Sequence, residues 1–255
     1  MTRLAQSDAL FCYDGSFEGF LSLVFKAYSM HVVPGDIKKA GCAQPALGQG
    51  VVEVPTEFAL AERVKVGLCN KAGYRTFAHL ERAFSTGEHG CERDAFAYIV
   101  LAMAGGRRAA ANLADPVVSR VEQLSNKASN EAEYLRQFVR FELMDNGVYV
   151  AVTNPKCNVL PYVMGHFVER LNTQPFLIYD EVHHLAAYYD MREVGYVRID
   201  DIELGSWGEG EELYQQLWKT FYDSISNEQR FNPDLRRRHM PLRFWKNLTE
   251  FKLAV

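Results

Sequence analysis

No stretch of this chain approaches the roughly 18–20 consecutive apolar residues that a membrane-spanning helix needs. The opening MTRLAQSDALFCYDG has neither a long apolar core nor a small-residue cleavage site, so no secretory leader is read there. A cytoplasmic protein with no membrane partner is the expectation. Cysteine is scarce and scattered: Cys12, Cys42, Cys69, Cys91 and Cys157 are odd in number and contain no CxxC pair. That pattern argues against a zinc ribbon, an iron–sulfur cluster or a disulfide scaffold, and fits small, reduced core residues. No metal and no cofactor are expected. Also missing are a GxGxxG dinucleotide turn, a GxxxxGK[ST] phosphate loop, an HExxH zinc motif and a GxSxG elbow. The pair Gly48 and Gly50 lies in a loop and lacks a third glycine.

What the sequence does hold is ordinary globular material. Its 255 residues are 48% apolar and 24% charged, enough for one large domain or two small ones with a sizeable core and no need of a staple. The net charge of −4 is unevenly spread. From Glu228 to Val255 seven Lys/Arg face three acids, or +4, which leaves −8 for the other 227 positions. An acidic body with a basic tail raises the question of polyanionic partners.

The first unit along the chain is a strand at Leu10–Tyr13, broken by Asp14-Gly15-Ser16, with Ser16 suited to cap the helix that follows. Phe17, Phe20, Leu21, Val24, Phe25 and Tyr28 form that helix's apolar stripe. Residues 31–55, with three prolines and four glycines, read as a loop with a short strand near Val51–Val54. Thr56 is expected to cap a helix ending before Gly73. Further helices are expected over 75–86, 93–105, 116–127 and 130–138, the second of these ended by Gly105-Gly106. Alternation over 138–143, the turn dipeptide Asn146-Gly147 and the β-branched run 148–152 predict a hairpin. After it come a helix over 160–172, strands at 176–179 and 194–199, and a glycine-rich turn at 205–210. A helix over 211–224 follows, with stripe Leu213, Leu217, Phe221 and Ile225, then short helices broken at Pro233 and Pro241. The order is α+β rather than regular βαβ alternation. It suggests a single domain over 1–255 with a mixed sheet, a possible helical subdomain over 56–130 inserted into it, and C-terminal helices.

Several residues are candidates for chemistry, each with a structural counterpart. Asp14, at a strand-to-helix handover, suits catalysis or simply bonds the turn backbone. His166 and Arg170 share a helix face and, with Asp180 at the next strand end, could form an acid–base constellation; a histidine bonding a neighbouring backbone group is the alternative. Asn154 is a further polar candidate. His183 and His184 point in different directions and leave a metal short of ligands. The segment 230–246 is the most suggestive: six Lys/Arg, one histidine, three aromatics and one acid. In it Arg230, Arg236, Arg237, Arg238, Arg243 and Lys246 are candidate phosphate contacts, Asn232 and His239 further candidate nucleic-acid contacts, and Trp245 or Phe244 a stacking platform for an unpaired base. The same residues would equally make a solvated helix with its aromatics in the core.

Three blocks resemble a known family. They are Tyr13-Asp14-Gly15-Ser16-Phe17-Glu18-Gly19-Phe20-Leu21; Asn154-Pro155, Asn158-Val159-Leu160 and His166-Phe167 with Arg170; and a C-terminal block. That last block runs from Leu213-Tyr214-Gln215 and Leu217-Trp218 through Arg230 and Asn232 to Met240-Pro241, Arg243, Trp245-Lys246, Leu248 and Glu250. Together they resemble the bacterial family called "probable DNA metabolism protein", a domain of unknown function. Its members are typically encoded beside a radical-SAM protein of DNA modification or repair and sometimes fused to a uracil-DNA-glycosylase-like domain. The resemblance implies DNA as a partner, together with a radical-SAM or glycosylase-type protein, and no particular reaction. This chain departs from the family in carrying His183-His184 where the family has a basic position. A DNA-repair or DNA-metabolism accessory protein that binds DNA is therefore the leading expectation. A DNA-processing enzyme using Asp14, His166 and Asp180, and a protein-interaction module that never touches DNA, are the alternatives.

Overall fold

The computed structural model describes residues 4–42, 44–200, 205–225 and 232–252. The chain is α+β and divides into two compact units, Met1–Ala128 and Ser129–Val255. Among the described residues no helix is long and apolar enough to cross a membrane.

The first unit opens with β1 (Ala5–Gln6) and β2 (Leu10–Tyr13), then α1 (Phe17–Ser29), β3 (Val32–Val33), β4 (Asp36–Lys39) and β5 (Val51–Glu53). All four residues of β2 are buried, as expected of a central strand covered on both faces. It lies between β4 and β5, parallel to each, with Leu10 opposite Asp36 and Val51; β1 pairs with β3 separately. The β4 strand was not visible as one because only Ile37 of Asp36-Ile37-Lys38-Lys39 is buried, and its place is set by pairing to β2. Ser16 caps α1 as its residue type suggests, accepting from the Gly19 N–H at 2.9 Å.

Four helices follow: α2 (Phe58–Ala72), α3 (Tyr74–Phe84), α4 (Cys91–Ala110) and α5 (Pro116–Phe138), the last running through the boundary between the units. Thr56 does not cap α2. The capping position is Glu57, which uses no side chain of its own, and its N–H donates instead to the Ser22 hydroxyl of α1 at 3.1 Å. The glycine pair in α4 acts as expected: Gly106 leaves helical geometry at φ 65°, ψ −158°, and a short helical tail continues beyond it. The two segments expected over 116–138 are one continuous helix. The core of this unit joins Phe11, Phe20, Leu23, Leu68, Leu80 and Ile99.

The second unit is built on a five-stranded sheet in the order β10-β9-β8-β7-β6. The hairpin is present: β6 (Glu142–Leu143) pairs antiparallel with β7 (Tyr149–Thr153). Gly147 in the turn has φ 80°, which a residue with a Cβ adopts only at a cost. From β7 the chain passes through α6 (Leu160–Arg170) to β8 (Phe176–Asp180), which lies parallel to β7 with Thr153 opposite Asp180. Antiparallel β9 (Leu185–Tyr189) and β10 (Val194–Arg198) complete the sheet. The β9 strand shows no alternation in sequence because Ala186 and Ala187 are both buried, one on each face.

Beyond the sheet come α7 (Glu211–Ile225), α8 (Pro233–His239), α9 (Leu242–Trp245) and α10 (Thr249–Lys252). The apolar stripe of α7 faces outward: Leu213, Leu217 and Phe221 are more than half exposed, while Glu211 and Gln215 are buried. Polar bonds fix that orientation. The Glu211 carboxylate accepts from the Leu143 N–H of β6 at 3.0 Å and from the Gln215 amide at 2.9 Å, so the polar side of the helix is the side attached to the sheet.

Candidate nucleic-acid interface

The basic C-terminal segment separates into residues spent on packing and residues left in solvent. Arg230 and Phe231 lie outside the described residues. Asn232 caps α8, its side-chain oxygen accepting from the Leu235 N–H at 3.0 Å, and Pro233 follows in the first turn. The three arginines Arg236, Arg237 and Arg238 and the neighbouring His239 fall in the last turn, where the helix dipole favours positive charge.

Arg236 lies with its guanidinium carbon 5.2 Å from the Trp245 ring centre and 5.4 Å from that of Phe251. Trp245 is stacked on Phe251 at 4.7 Å and 20°, and its indole N–H donates to the Met240 carbonyl at 3.0 Å. One face of Trp245 is therefore covered by Phe251, and Arg236 lies beside the stacked pair. Arg243 donates from Nη2 to both oxygens of the buried Glu131 carboxylate, at 2.7 and 2.6 Å, and sits 4.6 Å from the Phe244 ring centre. Phe244 itself is buried. Lys246 pairs with Glu181. Lys246 is itself exposed, so what remains outward without a carboxylate from another element is the end of α8. Arg237 makes one long contact, 3.6 Å to Asp234 of its own helix; Arg238 and His239 are exposed and make no ion pair among the described residues.

A second cluster lies where β7 and β8 end side by side. Asp180 is fully buried. Its Oδ1 accepts from the Val182 N–H at 2.9 Å and the His183 N–H at 3.2 Å, and its Oδ2 lies 2.6 Å from His183 Nδ1. The carboxylate thus orients the imidazole through Nδ1. The neighbouring histidine turns elsewhere, as adjacent residues must: His184 has φ 52°, and its Nδ1 lies 2.9 Å from the Asp200 carbonyl. Near the same strand end, Thr153 Oγ1, Asn154 Oδ1 and Asn158 Oδ1 are buried with no hydrogen-bond partner among the described residues.

His166 and Arg170 are both exposed on α6, and the His166 ring meets the Phe167 ring edge-on at 5.1 Å. Asp14 belongs to the first unit, where its Oδ1 accepts from the Ser16 N–H at 2.9 Å and hydroxyl at 2.6 Å, shaping the turn into α1. The partner that Asp180 does have, His183, reads in sequence only as a metal ligand or as standing in place of a basic position. An Asp-x-x-His spacing directly after a strand was the available signal, since a turn there folds the histidine back onto the carboxylate.

Fold and site together describe an α+β chain whose second unit carries an exposed cationic helix end and a buried carboxylate–histidine pair. Residues 90–250 match the model of the family described as Domain of unknown function (DUF4130), more than half of the chain, and the chain belongs to that family. Comparison with curated proteins and with solved structures returns no match.

Proposed function

We propose that this chain is a DNA-metabolism accessory protein that contacts DNA phosphates through the end of α8 and works beside a radical-SAM or glycosylase-type enzyme. The observation that carries the DNA half is the exposure of Arg237, Arg238 and His239 on one helix of an otherwise acidic chain. Guanidinium groups in that position fork readily onto phosphate oxygens. The partner half is supported by the resemblance described above and by the outward apolar stripe of α7, where Leu213, Tyr214, Leu217 and Phe221 stand in solvent. Arg243 leaves the contact set, because the buried Glu131 carboxylate holds it, while Arg236, Trp245 and Lys246 rank below the end of α8, because rings and the surface Glu181 pair engage them in part.

Fluorescence anisotropy with labelled single- and double-stranded DNA across a salt series tests this directly. Wild type should bind with affinity falling as salt rises. The Arg237→Ala/Arg238→Ala variant should bind weakly, with the logarithmic salt slope reduced by about two on duplex DNA. No binding by wild type at low salt would remove DNA from the function and leave a protein-recruiting module.

A second reading, a DNA-processing enzyme, is favoured by one observation: the buried Asp180 that orients His183. Such a pair suits general acid–base work. Incubation of the protein, with and without a candidate partner enzyme, on lesion-bearing oligonucleotides would reveal strand cleavage or base release; activity that survives His183→Gln would sink this reading.

A further inference from the structure

The cavity of about 480 Å³ at the junction of α2 and α3 in the first unit is engaged by none of the residues discussed so far. Its walls come from that junction, from α4 just past its break and from the early turns of α5. Two glycines shape it. Gly73, between α2 and α3, has φ 94°, and a Cβ there would lie 3.0 Å from Arg107 Nη2, so the guanidinium rests against bare backbone. Arg107 follows directly on Gly106, the residue at which α4 leaves helical geometry.

The polar inventory is lopsided. Arg75 and Arg107 both line the cavity and are exposed, and neither has a carboxylate partner among the described residues. The one acid in the lining, Glu122, is held by His79 at 2.7 Å. The first turn of α3 also borders the space and has no side-chain cap, so the helix dipole adds to the positive side. The lining also holds apolar surface, with Tyr74 and Leu113 largely exposed.

We infer that this cavity binds a phosphate monoester carrying a ring-bearing body, with a nucleoside monophosphate as the simplest member of that class. Two unpaired guanidiniums suit a dianionic phosphate better than a single-charged group. The volume lies within the range of small-molecule sites and is about right for one nucleotide. Tyr74 offers a face for a ring, and the His79–Glu122 pair offers hydrogen bonding to sugar hydroxyls. The same chemistry reaches the site either as a free nucleotide or as the 5′-phosphate end of a DNA strand.

Isothermal titration of the full chain with deoxyadenosine monophosphate tests the assignment. It is run in the Arg237→Ala/Arg238→Ala background, so that loss of α8 contacts and loss of this site are read separately. The nucleotide should bind, deoxyadenosine should bind at least about tenfold more weakly, and Arg75→Ala and Arg107→Ala should each weaken the nucleotide by about tenfold. Because both arginines are exposed and unpaired, the variants should melt with wild type by circular dichroism. Competition by a 5′-phosphorylated short oligonucleotide, but not by its 5′-hydroxyl form, assigns the strand end as the source; competition by neither assigns the free nucleotide. Absence of nucleotide binding at millimolar concentration, or binding unchanged in both arginine variants, overturns the inference.

Discussion

Arg243 shows how far a residue's chemistry depends on what it meets. In sequence it is one of six cations beside aromatics, while in the fold its Nη2 reaches both oxygens of the buried Glu131 carboxylate. Removing one partner of such a pair leaves the other charge buried and costs about 3–5 kcal/mol. Arg243→Ala is therefore expected to lower stability by that order in urea unfolding, while the folded fraction keeps its DNA affinity. A variant of full stability and lost DNA binding would instead make Arg243 a phosphate contact. Glu250 makes a pH prediction of the same kind. Burial alone would push its carboxyl up, but its backbone N–H, Arg140 and Trp218 outweigh that and hold it below its ordinary value of 4.5. Its contribution is thus present above that value and is lost as pH falls through the lower folded one. Trp218, whose indole N–H donates to Glu250 at 3.1 Å, should report the loss as a fluorescence change on acidification that is absent in Glu250→Gln. The cysteines divide similarly. Burial, and then the neighbouring Glu92 carboxylate, push the Cys91 thiol up to about 12, whereas Cys42 is exposed. Mild alkylation at neutral pH should label Cys42 and spare Cys91, as peptide mass mapping would show.

At the scale of elements, the hairpin and α7 make an instructive pair. The hairpin was readable because Asn146-Gly147 acts locally: Gly147 needs a positive φ whatever surrounds it. Nothing lies within 4 Å of a Cβ placed there, so Gly147→Ala should cost only the conformational term, about 1 kcal/mol, read as a shift of the urea midpoint. A much larger loss would mean that the turn is packed. In α7 the periodicity was equally clear, and the helix forms, yet its stripe faces solvent. Periodicity reports that one side is apolar; which side is attached depends on Glu211, braced by Gln215, meeting the Leu143 N–H of β6, a contact between positions far apart in the chain. The strands β4 and β9 carry no local signal for the same reason. Neither alternates, and each exists because a neighbour supplies its hydrogen bonds.

At the scale of the whole molecule, the chain holds two compact units with separate sheets. All three tryptophans, Trp207, Trp218 and Trp245, lie in the second. Their emission therefore reports that unit, while far-UV circular dichroism reports the helices of both. Leu68 of α2 is fully buried in the first unit, so Leu68→Ala should lower the dichroism-detected stability by about 2–5 kcal/mol; a loss well below that would mean its neighbours collapse into the space. From sequence alone came the α+β class, most helices, the Ser16 cap, the hairpin and the charge asymmetry, because each rests on local propensity or on counting. Tertiary structure alone decided which cations of 230–246 stay in solvent, that Asp180 holds His183, and that Arg75 and Arg107 border one cavity. Those outcomes depend on which distant carboxylate, ring or backbone turn each side chain meets, and pairings of that kind are made by the fold.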